Sequence, residues 1–121
     1  MSSSVTLNPA DAIAFLQETM AASRNVQATF VSVRSGTHMF IRGKLERLPD
    51  GIGFAVNDGR ASITVDPTQA SLCKRADAST AKEHPLATRF LSTLEFMGAL
   101  ILEFNRVEIL VVFVIASDNA N

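Results

Sequence analysis

Residues 93–116 constrain this chain most. Thr93–Phe104 alternates with a period of two, so Leu94, Phe96, Gly98, Leu100, Leu102 and Phe104 form one apolar face. Asn105-Arg106 then reads as a two-residue turn, and Val107–Ala116 is apolar on both sides. Ile109, Val111, Phe113 and Ile115 occupy one face; Leu110, Val112 and Val114 occupy the other. A strand apolar on both faces must be buried on both. A chain of 121 residues has room for one core. A subunit interface is therefore the natural cover for the second face. The expectation is a homo-oligomer whose contact uses Leu110, Val112 and Val114. Glu95, Glu103, Asn105, Arg106 and Glu108 interrupt the longer apolar stretch. The uncharged part, Ile109–Ala116, falls well short of the roughly 20 residues a membrane helix needs. No membrane association is expected.

The rest of the chain reads as one helix and a set of short strands within a single domain, 1–121. Asn8-Pro9-Ala10-Asp11 is a helix start, with Asn8 as cap, Pro9 in the first turn and Asp11 near the positive end of the dipole. Ala12, Ile13, Leu16 and Met20 continue at helical spacing, widened by Phe15, which predicts a helix over 9–24. From Val26 the period changes to two. Strands are expected at Gln27–Arg34, Thr37–Leu48, Gly53–Val56, Arg60–Val65 and Ala70–Cys73. Turns fall at Ser35-Gly36, Pro49-Asp50-Gly51 and Asn57-Asp58-Gly59. Gly43, inside the second strand, marks a bend or a close backbone approach. Residues 74–88 read as a polar loop, Pro85–Phe90 as a short helix, and 93–116 as a C-terminal hairpin.

The segment 26–73 resembles the Sm-like fold. The resemblance rests on the helix at 9–24, the Ser35-Gly36 turn and Ile41-Arg42-Gly43-Lys44-Leu45, which matches the family's apolar-x-Gly-x-Leu pattern. Asp50 with Phe54-Ala55-Val56-Asn57-Asp58, then Ile63-Thr64-Val65 and Ala70-Ser71-Leu72, follow its later strands. The resemblance implies a mostly β (α+β) fold. An N-terminal helix would precede a small, strongly bent antiparallel Sm-like or SH3-like barrel over 26–73, with 93–116 as an extra hairpin. It also implies ring assembly and RNA binding. The residues depart from the RNA-binding signatures. Gly53 and Phe54 stand near the place of the family's RNA-contacting Asn, and Val65-Asp66-Pro67 stands before the last strand.

No Gly-x-Ser-x-Gly, Walker A loop or His-Glu-x-x-His is present, so the chain reads as non-enzymatic. His38, His84 and the single cysteine, Cys73, show no metal-ligand spacing, and no metal or cofactor is expected. Cys73 reads as a buried, inert thiol. Glu95, Glu103 and Glu108 read as solvent-facing rather than as an acid–base pair. The start of the sequence has neither a basic nor an apolar leader region, so the expected location is cytoplasmic.

Charge is uneven. Residues 26–75 hold seven basic and four acidic groups, +3; residues 76–121 hold three and six, −3. Phe40, Arg42, Lys44 and Arg47 form the candidate nucleic-acid or anion-binding cluster. Against base stacking stands the aromatic inventory of eight Phe with no Tyr or Trp. The leading expectation is a non-enzymatic oligomeric binding or scaffold protein. An Sm-like RNA-binding module and a small-molecule binder, or an enzyme of unrecognised type, are the alternatives.

Overall fold

The computed structural model describes residues 5–77, 96–106 and 108–116. The described residues form one α-helix and eight strands, the strands in a single antiparallel sheet. The chain opens with β1 (Val5–Leu7) and α1 (Pro9–Ala21). Then follow β2 (Asn25–Ser32), β3 (Thr37–Arg47), β4 (Phe54–Asn57) and β5 (Ser62–Val65). After a 3-10 turn at Pro67–Gln69 come β6 (Leu72–Asp77), β7 (Phe96–Phe104) and β8 (Ile109–Ala116). The order across the sheet is β1-β6-β7-β8-β2-β3-β4-β5.

That order corrects the expected barrel. The sheet is open: β5 pairs with β4 and ends one side, and β1 pairs with β6 and ends the other. Strands 26–73 do not close on themselves, because the β7–β8 hairpin lies between β6 and β2. The hairpin expected as an appendage is the middle of the sheet. This is why its second strand is apolar on both sides. Val26–Ser32 pairs with β8 on one side and with β3 on the other, so β2 is central as well.

Local signals explain the element ends. Asn8 caps α1 by accepting from the Asp11 N–H at 2.8 Å. The helix stops at Ala21 rather than Arg24, because Ser23 takes a left-handed φ of 55° and Asn25 already belongs to β2. The Gly36 N–H closes the β2–β3 turn on the Ser32 carbonyl at 2.9 Å, with Gly36 at φ 71°. Asp50 and Asp58 each accept two backbone N–H bonds in the next two turns. Asn105 and Arg106 both have positive φ, as the tight turn predicted there requires. β6 runs on to Asp77, through residues expected to be loop, because β7 pairs with it over its whole length and β1 with Cys73–Arg75. β1 was not foreseen at all. Three residues carry too little periodicity to announce a strand. The expected short helix at 85–90, and the loop beyond residue 77, lie outside the described residues, as do His84 and Glu95.

The main core lies between α1 and one face of the sheet. Ala12 and Leu16 meet Val26, Ala28, Ile41, Phe54, Val56, Leu100, Leu102, Phe113 and Ile115. The other face of the central strands is also buried: Val112 and Val114 are each 1% exposed and Leu110 is 9% exposed. These three residues are thus buried within a single chain. In this conformation the three residues expected at a subunit contact expose little surface. Among the described residues no helix is long and apolar enough to cross a membrane.

Candidate functional site

Strand alternation decides what each face presents. On β6, Cys73 and Arg75 point to the core side, where Cys73 lies opposite Leu7 and Leu102, and Arg75 opposite Val5 and Leu100. A charged side chain on the apolar face is a local conflict. It is resolved at the edge of the core, where the Arg75 guanidinium lies 4.9 Å from the centre of the Phe15 ring. A cavity of about 470 Å³ opens here, between the end of α1 and strands β1, β6, β7 and β8. Val5, Leu7, Phe15, Ala22 and Ile115 supply apolar wall. The polar groups around it are Glu18, Thr19, Arg24 and Arg75. The Thr19 hydroxyl is already used, donating to the Phe15 carbonyl at 2.9 Å, so the charged groups carry the site's polarity. Val5 is 55% exposed, an apolar side chain held open to solvent at this end of the sheet.

The cluster expected on β3 is brought together in part. Phe40, Arg42 and Lys44 share the face opposite the core, and Arg42 lies 5.9 Å from the Phe40 ring centre. Lys44 donates from Nζ to the Ser23 carbonyl. Arg47 does not join them. Its odd number places it on the core side, over the Phe54 ring at 5.0 Å, where it donates to the Gly51 carbonyl. The period of two already dictates this separation.

His38 and Cys73 lie on opposite faces of the sheet, His38 beside Val31 and Cys73 within the core cluster. Burial raises the Cys73 thiol above its ordinary pKa, the state of an unreactive cysteine. Glu103 pairs with Lys74 at 3.5 Å. Among the described residues no three His, Cys, Asp or Glu side chains are grouped to hold a metal ion.

Sequence reasoning missed most of the cavity. Arg75 was assigned to a loop, where it had no face, and Val5 to no element. The available signal was Phe15, which widened the helix stripe towards this end.

No protein-family model matches the sequence, and no curated protein does. Among solved structures, the chain is similar to apo-PhuS, a heme-binding protein from Pseudomonas aeruginosa. The TM-score is 0.55 at 15% identity, over 95% of this chain. The chain spans 30% of the length of the PhuS chain. At that identity the likeness concerns the fold.

Proposed function

We propose that this chain is a non-enzymatic binding domain for a small amphipathic acid. An apolar body would occupy the cavity beside α1, and an anionic group would face Arg75. The observation that carries this reading is the Arg75 guanidinium over the Phe15 ring at the side of a cavity with an apolar wall, where Glu18 and Arg24 are the other charged groups. A volume of about 470 Å³ lies within the range of pockets that enclose small organic ligands. Phe15 packs under the guanidinium and restricts it, so less freedom is lost when a carboxylate pairs with it. The likeness to a heme-binding protein supports a ligand of this kind, a flat apolar body with carboxylates. It does not extend to iron ligation. None of the described lining residues is His, Cys, Met or Tyr, the side chains that hold heme iron. The residues present therefore do not fit a ligated heme.

Fluorescence titration with 8-anilinonaphthalene-1-sulfonate, which has an apolar body and one anionic group, tests the reading. Saturable binding is expected, weakened about tenfold or more by Arg75→Ala through loss of a charge-assisted bond. Ala22→Phe, at an exposed position lining the cavity, should block it. Unsaturable binding, or binding indifferent to both variants, would refute the proposal. So would hemin whose absorption takes on the sharp bands of a protein-ligated iron.

A further inference from the structure

The cavity beside α1 owes its depth to one position on β7. On the core face of that strand the residues run Leu102, Leu100, Gly98, and their partners on β8 are Val111, Phe113 and Ile115. Leu100 and Leu102 belong to the core packed against Ala12 and Leu16. At the next position the column ends in a residue with no side chain, and there the cavity opens. Gly98 is buried and still lines the cavity, which places it at the floor. Its own chain neighbours aside, a Cβ built on it meets a single atom within 4 Å among the described residues, the Ala76 carbonyl oxygen at 3.0 Å. A side chain in a packed core is touched from all sides. Position 98 therefore faces room, not packed atoms.

The backbone does not by itself demand glycine here. Gly98 lacks a positive φ, and a 3.0 Å contact asks the Ala76 carbonyl to shift by a few tenths of an ångström. A glycine inside a strand also marks a place where a ligand comes close to the main chain. We propose that Gly98 is the specificity-determining residue of this cavity: its bare backbone is the floor under the apolar body of the bound acid, and it selects a flat, fused-ring acid. The proposal rests on the amphipathic-acid reading of the cavity and names the class of acid. Arg75, Gly98 and Ile115 lie on three neighbouring strands, β6, β7 and β8. The path from the anion's partner to the far wall is thus two strand spacings, about 10 Å. A single ring anchored at Arg75 stops short of Ile115, and two fused rings reach it. A flat ring system keeps its atoms in contact with a bare peptide floor. A globular body touches that floor at few points, and a gap of about 0.5–1 Å already forfeits a quarter to a half of each contact.

Displacement of 8-anilinonaphthalene-1-sulfonate from the full chain tests this with 2-naphthoate, adamantane-1-carboxylate and benzoate. The first two have the same number of carbon atoms, one flat and one globular. 2-Naphthoate should bind about tenfold or more tighter than adamantane-1-carboxylate. Gly98→Ala sets one methyl group on the floor. It should weaken 2-naphthoate about tenfold or more and leave benzoate within about twofold. In the parent protein, nuclear Overhauser effects should connect the naphthoate ring protons to the Gly98 Hα protons. That measurement needs no variant and decides alone if Gly98→Ala does not fold. Equal affinity for the flat and globular acids, equal weakening of benzoate and 2-naphthoate by Gly98→Ala, or bound 2-naphthoate without the Gly98 contact would each overturn the proposal. Saturable dye binding that 2-naphthoate does not displace overturns it too, and leaves the amphipathic-acid reading standing. Absence of dye binding overturns both.

Discussion

Gly43→Ala is the substitution whose effect follows most directly from the backbone. Gly43 lies in β3 where β4 crosses close to it. A Cβ built there would lie 3.1 Å from the Asn57 carbonyl carbon and closer still to its oxygen. Carbon atoms pack at about 3.5 Å or more, so the carbon alone demands a retreat of at least ~0.4 Å (3.5 − 3.1), and the oxygen demands more. The obstacle is backbone, which no rotamer change relieves. Moving it strains the Lys44–Asn57 and Leu45–Val56 pairings, and Leu45 and Val56 are both core residues. Overpacking of this kind costs about 1–3 kcal/mol. For a chain of this size roughly 4 °C of Tm accompanies each kcal/mol, so thermal melts should show a fall of about 4–12 °C. Gly36→Ala is the control. Gly36 has φ 71° with nothing within 4 Å of the built Cβ, so its cost is purely conformational. Amide exchange separates the two: Gly43→Ala should speed exchange across Phe54–Asn57, and Gly36→Ala should not. A Gly43→Ala protein melting within about 2 °C of the parent would refute the close approach as a constraint.

Val112→Asp places a charge on a face that is closed within one chain. It should yield insoluble or unfolded protein, because an unpaired buried carboxylate costs several kcal/mol against a typical total of about 5–15. Light scattering and near-ultraviolet circular dichroism check it; a folded monomer derived from an oligomeric parent would show that the face lies between subunits. Acid should loosen the β3–β5 turns. Asp50 is held below the usual carboxylate range by the N–H groups of Gly53 and Ile52, and Asp58 by those of Ala61 and Arg60. Their contribution is complete above the unfolded value of about 3.9 and is lost as pH falls through the lower folded values. Urea melts between about pH 5 and 3 should therefore show a shallower loss of stability for the Asp50→Asn, Asp58→Asn double variant; an unchanged slope would refute the linkage.

What the sequence disclosed was what local periodicity encodes. The capped helix start at Asn8, the alternation of β3 and β7, and the turns at Gly36, Asp50 and Gly59 all follow from neighbouring residues. Pairing partners are not local. Nothing in Val26–Ser32 announces that its second neighbour is Ile109–Ile115, so the hairpin was assigned to the periphery and the sheet to a closed barrel. The second apolar face of β8 is buried, as its composition demands. Arg42 was singled out for its charge. Gln27, the buried residue that accepts from Arg42, is lost among β-forming neighbours because a buried Gln and an exposed Gln look alike in sequence. Arg75 was lost with its strand.

The central position of β8 also orders events in time. β2 is synthesised early, yet the partner on one of its sides, β8, follows all the other described strands. Val26 pairs with Ile115. Until that final strand emerges, β2–β5 form an incomplete meander with a long open edge, and the contacts that complete it span most of the chain. Such long-range closure slows folding and exposes an aggregation-prone edge meanwhile. A chain stalled before residue 109 would therefore lose the middle of its sheet, not its margin.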